Sequence, residues 1–366
     1  MSFKSIAVAA GVALGGTLMA TSVSVAAEAA KGRAVVDAWD KIFPKSDKVE
    51  HAKVAFVNRF GIKLVADCYK PKNAEGPFAA IAVSGPFGAV KEQASGFYAQ
   101  ALAARGFLTI AFDPSFTGES GGEPRRVASP DINTEDFSAA VDYLVNRPDV
   151  DAEKIGIVGI CGWGGFAINA AALDPRIKVT VASTMYDMTR VTANGYFDSE
   201  DTPSQRREKR LALAKQRTAD FAAGSYARAG GVPDVLQMDA PQFVKDYFDY
   251  YKTPRGFHPR SGNSTDGWNV TSSASFLNAR LLAYAGEIAG AVMVLHGEKA
   301  HSRYFGETAF KLLQGDNKVL RIVPGANHTD LYDGGKGNFI PWNEIEAFLR
   351  KNLELKQAEQ APRFIR

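Results

Sequence analysis

The stretch that most constrains this chain runs Lys154-Ile-Gly-Ile-Val-Gly-Ile-Cys161-Gly-Trp-Gly-Gly-Phe-Ala-Ile168. An apolar run of strand type enters a turn dense in glycine. A helix of small and apolar residues, Phe166 to Leu173, leaves it. A strand-to-helix turn this sharp holds its apex residue clear of the backbone, where a base and a substrate can both reach it. Glycines belong beside the apex because the backbone there is strained and flanking side chains collide. Gly159 sits where that geometry wants it; Trp163, two residues after Cys161, stands where a second glycine is expected.

Two other readings of the same residues compete. A free cysteine at a strand end is often just a small buried hydrophobe. Gly162-Trp-Gly164-Gly-Phe-Ala167 also fits the dinucleotide pattern G-x-G-x-x-A. That pattern needs an acidic residue closing the next strand, about 20 residues on. The next strand, Lys178 to Ser183, has no carboxylate until Asp187, so nucleotide binding is disfavoured.

Composition excludes several classes. With 366 residues, 46% hydrophobic and 23% charged, the chain is an ordinary globular one, and a net charge of +3 is too small to argue for nucleic acid. The Arg206-Arg-Glu-Lys-Arg210 run reads as a solvated helix face. Lys4, the apolar run Ile6–Val25 and Val25-Ala26-Ala27 before Glu28 read as a cleavable signal peptide over residues 1–27. A periplasmic or secreted protein without stable membrane insertion after processing is expected. Two cysteines make no disulfide framework, and Cys68 lies in a strand-like segment of the core.

Along the chain, His51–Asn58 and Ile62–Tyr69 alternate as a hairpin, and βα units follow. Strands are expected at Phe78–Ser84, Phe107–Asp113, Lys154–Ile160 and Lys178–Ser183, with helices between them. Repetition of this kind predicts a mostly parallel sheet flanked by helices. The rhythm breaks over residues 185–288, which read as a mainly helical lid inserted between core segments 28–184 and 289–355. Its cluster Tyr247–Tyr251 reads as helix packing ahead of a substrate platform, and the lid's aromatics are expected to face an apolar pocket over the site and restrict acyl size. Ala291–His296, a helix near Arg303–Leu313, Lys318–Val323 and Pro341–Leu353 complete the core, and 356–366 is a polar tail.

Ligands of such a sheet sit beyond the carboxyl ends of its strands. Three of those ends carry chemistry: Cys161, His328 past the last strand, and the turn His296-Gly-Glu-Lys-Ala-His-Ser302. His296 reads as a structural hydrogen-bonding residue, His51 and His258 have no chemical context, and His301 is ambiguous. No histidine spacing suits a metal, and no cofactor is implied.

These pieces resemble the α/β-hydrolase fold over about residues 50–353, and within it the dienelactone-hydrolase-like branch. The matching segments are Gly85-Pro-Phe-Gly88 with Lys91-Glu-Gln, Phe112-Asp113 with Gly118-Glu-Ser-Gly-Gly-Glu-Pro-Arg125, Gly159-Ile-Cys-Gly, Asp174-Pro-Arg-Ile-Lys178 and His328. The resemblance implies a Cys161 nucleophile, a His328 base, and oxyanion donors at the backbone N–H groups of Gly162 and Phe87, with Gly88 behind Phe87. It also implies an acid orienting His328. The turn His296-Gly-Glu298-Lys-Ala300 carries alanine where that acid is expected, so Glu298 is the first candidate, Asp187 the second and Glu307 the third. A thiolate supported by the helix N-terminus and an imidazolium is expected at the elbow. The implied activity is hydrolysis of carboxylic ester, lactone or thioester bonds in a small acyl substrate. A non-catalytic binding or accessory protein, or an acyltransferase, is the alternative. No feature sets an oligomeric state.

Overall fold

A computed structural model describes residues 39–355; the expected signal peptide and polar tail lie outside the described residues. Eight strands form one sheet: β1 Val49–Val57, β2 Lys63–Pro71, β3 Phe78–Ser84, β4 Leu108–Phe112, β5 Val150–Ile160, β6 Ile177–Ser183, β7 Ala291–Gly297 and β8 Lys318–Val323. Their order is β1-β2-β4-β3-β5-β6-β7-β8. β1 pairs antiparallel with β2, and β2 with β4; every later pairing is parallel. The central strands read as unbroken apolar runs because helices cover both sheet faces. All seven residues of β3 and of β7 are buried, whereas the edge strand β1 alternates.

The covering helices are α1 Ala94–Ala103, α2 Pro130–Val145, α3 Gly162–Leu173, α7 Arg303–Leu312 and α9 Trp342–Asn352. Local chemistry sets their starts. Ser129 caps α2 by accepting from the Ile132 N–H, and Pro130 opens that helix, where a missing N–H costs nothing. Between β6 and β7 the chain runs through α4 Met188–Asn194, α5 Pro203–Ala223 and α6 Gln242–Tyr251, with short 3₁₀ turns and no strand of the sheet. Helix α5 is largely solvated, burying only Leu213 and Asp220, and its basic run pairs with Asp201 and Glu200 as a surface face does. The short α8, Asp330–Asp333, follows β8. Among the described residues no helix is long and apolar enough to cross a membrane.

A buried ionic knot fixes the turn after β3. Lys91 is fully buried, and its ammonium is held by Glu92, Asp113 and Glu119; the Lys91 N–H also donates to Asp113 Oδ1 at 2.8 Å. The three carboxylates converge as a metal site would, but the lysine already supplies the positive charge they need.

Candidate active site

Strand β5 ends into α3 through Cys161, whose backbone sits at φ +60° and ψ −127°. A side chain rarely tolerates that conformation, at a cost of about 1–3 kcal/mol. Hydrogen bonds hold it there: the Cys161 N–H donates to Ser183 O, and its carbonyl accepts from the N–H groups of Gly164 and Tyr186, each at 2.9 Å. The neighbours must be small. A Cβ on Gly159 would lie 2.1 Å from Trp163 O, and one on Gly162 would lie 2.7 Å from Phe87 Cβ.

Trp163 fits because the room is made across from it. Its ring is buried against Phe112, Phe137 and Phe166, and Gly85 in the turn after β3 faces it. A Cβ on Gly85 would lie 2.7 Å from Trp163 Cβ. The missing elbow glycine is thus compensated by one on the opposing loop.

The backbone N–H groups of Gly162 and Phe87 both face the apex, where they favour negative charge on Cys161 Sγ. The Phe87 loop is gripped from outside by the segment after α6. Asn263 Nδ2 donates to Phe87 O at 2.6 Å, Asn263 N–H to Gly88 O at 3.0 Å, and Ser261 Oγ to Gly88 O at 2.8 Å. Donors fixed before a substrate arrives cost no reorganisation during reaction.

His328 follows β8 and is buried beside the elbow, but no hydrogen bond joins it to the thiol directly. Its Nε2 lies 3.0 Å from Tyr332 Oη, and that phenol hydrogen-bonds Cys161 Sγ. Its Nδ1 meets two hydroxyls, Ser302 Oγ at 2.6 Å and Thr184 Oγ1 at 2.9 Å. Thr184 holds a φ of +44°, costly for a β-branched residue, and its N–H donates to Leu295 O at 2.6 Å.

The acid candidates are elsewhere. Glu298 is exposed and accepts from the Gly325 N–H at 2.8 Å; its carboxylate serves the turn after β8 rather than His328. Asp187 caps α4, accepting from the N–H groups of Thr189 and Arg190 at 3.0 Å each. Glu307 pairs with Arg303 at 2.7 Å. Among the described residues, then, His328 is oriented by hydroxyls and not by a carboxylate.

The surroundings of Cys161 and His328 run against the expected thiolate and imidazolium. Burial pushes the Cys161 thiol above its usual value, and hydrogen bonds from Tyr332, Gly162, Phe87 and Tyr247 offset this only in part. Burial, with His301 and His296 nearby, holds His328 well below the usual imidazole range. Both directions favour the neutral thiol and the neutral imidazole over an ion pair.

The cavity over Cys161 holds about 40 Å³. Tyr186, Tyr247, Tyr251, Tyr332, Phe87 and Asn263 line it, with Met188, Val191, Tyr196 and Val232, and none of these is charged. Tyr247 and Tyr251, read first as packing, face the site, as expected of the lid's aromatics. His301 stacks on Phe243 at 4.3 Å and hydrogen-bonds Tyr186 Oη. His51 pairs with Asp67 at 2.9 Å, and His258 accepts from the Arg260 N–H. Against expectation, neither ring nitrogen of His296 has a hydrogen-bond partner among the described residues. Sequence reasoning passed over Tyr332, Thr184, Ser302 and Asn263. Only Tyr332, four residues after His328, carried a helical-spacing signal.

The chain matches the X-Pro dipeptidyl-peptidase family (S15 family) over residues 61–280. It is 54% identical over 317 residues to uncharacterized protein PA2218 of Pseudomonas aeruginosa, covering 86% of this chain and 84% of the relative. The crystal structure of that protein superposes with a TM-score of 0.83, covering 87% of this chain and 98% of the other. Thiohydrolase aneE of Aspergillus aculeatus is 33% identical over 137 residues, 37% of this chain and 42% of the relative. The α/β-hydrolase GrgF from Penicillium sp. sh18 shares the fold, with a TM-score of 0.68 at 19% identity over 84% of this chain and all of the other. A family match over more than half of the chain, on this sheet and this elbow, makes the chain a member of the S15 family, with the α/β-hydrolase fold.

Proposed function

We propose that this protein hydrolyses carboxylic ester, lactone or thioester bonds of small uncharged acyl groups, with Cys161 as nucleophile and His328 as base. The observation that carries the reading is the convergence of the Gly162 and Phe87 N–H groups on Cys161 Sγ. Two donors meeting at a strained elbow suit an acyl carbonyl whose oxygen becomes anionic. As the sulfur attacks, its proton passes to Tyr332 Oη while the Tyr332 proton moves to His328 Nε2. An imidazole that accepts at Nε2 carries its own proton on Nδ1, where the Ser302 and Thr184 hydroxyls face it. A thiol gives up its proton more readily than a hydroxyl does, so a base without a carboxylate behind it suffices.

The uncharged cavity lining supports neutral acyl esters and thioesters over dipeptides. A dipeptidyl-peptidase substrate brings a free α-ammonium, and no carboxylate lines this cavity to receive it. The thiohydrolase name of one relative and the likeness to dienelactone-hydrolase-like segments favour activated acyl bonds. Acyl transfer to an acceptor other than water shares the same first half-reaction.

A panel of p-nitrophenyl esters, lactones and acyl thioesters of graded length, run beside an X-Pro p-nitroanilide, tests the reading. Turnover of short neutral acyl thioesters or esters, with kcat/KM at least about 100-fold above the anilide, is expected. Preference for the anilide would contradict it. No turnover of any member would leave a binding or accessory protein on this scaffold.

A further inference from the structure

Cys161 Sγ touches two phenols, and each leads to a different imidazole. One path runs through Tyr332 to His328. The other begins at Tyr247, which lines the same cavity as Cys161 and whose hydroxyl favours negative charge on Sγ. Tyr247 Oη lies 3.0 Å from Tyr186 Oη, and Tyr186 Oη is hydrogen-bonded to His301 Nε2. His301 comes from the turn after β7, where its side chain had no evident purpose as a lone second histidine. Phe243 stacks on its ring at 4.3 Å, fixing the plane, and Tyr247 sits 5.7 Å away edge-on.

The two imidazoles differ in access. His328 is 1% exposed, enclosed between Tyr332, Ser302 and Thr184. His301 keeps a partly exposed edge. The cavity between Cys161, Tyr186 and Tyr247 has about 40 Å³ of room, enough for one or a few waters beside the sulfur. A proton released there reaches His301 through two hydroxyls without crossing the thiol.

We propose that His301, acting through Tyr186 and Tyr247, is a second proton acceptor of this site and serves the deacylation half-reaction. This rests on Cys161 being the acylated nucleophile. Water adds to the acyl carbon of the Cys161 thioester. One water proton passes to Tyr247 Oη as the Tyr247 proton moves to Tyr186 and the Tyr186 proton to His301 Nε2. The C–S bond then breaks, the carboxylic acid leaves, and the sulfur departs as thiolate facing the Gly162 and Phe87 N–H groups. The same path run backwards returns the proton to Sγ, because Tyr247 touches it. Tyr332 and His328 serve the other half-reaction, taking the thiol proton and giving it to the leaving group. The hydroxyl path also limits the acyl group to one that leaves Tyr247 uncovered, which fits a small neutral substrate.

The test separates the two half-reactions. Full-length wild type, His301→Gln and Tyr186→Phe are acylated with a p-nitrophenyl ester, freed of excess reagent, and followed by intact-mass spectrometry. In both variants the acyl-enzyme should form in one equivalent at a rate within about threefold of wild type, and decay about 30- to 100-fold more slowly, as expected for loss of a general base. Tyr186→Phe keeps the ring packing, so slow decay in it cannot be assigned to a collapsed cavity; circular dichroism checks that both variants fold. Wild-type decay rates in either folded variant, or acylation and decay falling together, would overturn the second path while leaving the Cys161 reading intact. Absence of any Cys161 adduct in the wild type would overturn that reading, and this proposal with it.

Discussion

Ser302 Oγ lies 2.6 Å from His328 Nδ1, in the position that the resemblance assigns to a carboxylate. Thr184 shares the same nitrogen at 2.9 Å. An imidazole held by hydroxyls keeps its orientation and tautomer but gains no anion to stabilise its charged form. Ser302→Ala and Thr184→Val should therefore each lower kcat by about tenfold or less. The double variant should lose more than either, about 100-fold, because the ring is then free to turn. KM should change little in all three.

The carboxylates that the sequence offered should prove dispensable for chemistry. Glu298→Gln should leave kcat within about twofold, since Glu298 bonds only the Gly325 N–H in the turn after β8. Asp187→Asn should weaken the cap of α4 and lower the melting temperature, at a cost of about 1 kcal/mol, with kcat changed far less than a lost triad member would require. A loss of two decades in kcat from either, with folding intact, would return the acid to the mechanism.

The pH profile follows from two buried neutral groups. Burial holds His328 neutral well below 6.5, and the neutral ring is the form that accepts a proton, so kcat/KM should persist on the acid side through pH 6. Burial also raises the Cys161 thiol above 9, and that of Cys68 to about 11. Iodoacetamide labelling of Cys161 should thus be slow at pH 7 and rise with alkalinity, with no acid-side plateau from a preformed thiolate. Rapid labelling at pH 6, measured by peptide mass spectrometry, would show an ion pair instead.

Two packing changes should test the scaffold. Gly85→Ala puts a methyl group 2.3 Å from Ile160 O and 2.7 Å from Trp163 Cβ at a φ of +102°, so stability should fall by several kcal/mol and the elbow should shift. Lys91→Met leaves Glu92, Asp113 and Glu119 without their shared cation, which should cost about 3–5 kcal/mol. Burial alone would raise Glu119, but Lys53 and Lys91 hold it down to about 2. With its folded value depressed, Glu119 contributes stability above its unfolded value of 4.5 and loses it as pH falls toward 2. Urea unfolding at pH 7 and pH 3 should show that loss in the wild type, and a smaller one in Lys53→Met.

The sheet was readable because its strands are apolar runs with clear punctuation: Phe78–Ser84 is expected and found with the same ends. The elbow was readable because Cys161 and its glycines are contiguous. What completes the site was less so. Tyr247, Tyr186, Thr184 and Ser302 meet near Cys161 and His328 only through tertiary folding, and nothing local to a tyrosine says whether its hydroxyl faces a core or a thiol. Glu298 was favoured on its nearness in sequence to the expected position, but β7 ends so that its side chain turns outward to Gly325. The surroundings that set the two titrations were hidden for the same reason. A glycine-rich helix start argues for a thiolate, and burial of Cys161 among phenols outweighs it.

The central claim is that Cys161 carries the acyl group, and trapping that group tests it most directly. Wild-type enzyme quenched in acid during turnover of a short acyl thioester should yield one acyl mass increment, located on Cys161 by peptide mapping, and Cys161→Ala should yield neither adduct nor turnover above about 10⁻³ of wild type. Full turnover by Cys161→Ala, or an acyl increment on any other residue, would contradict the account.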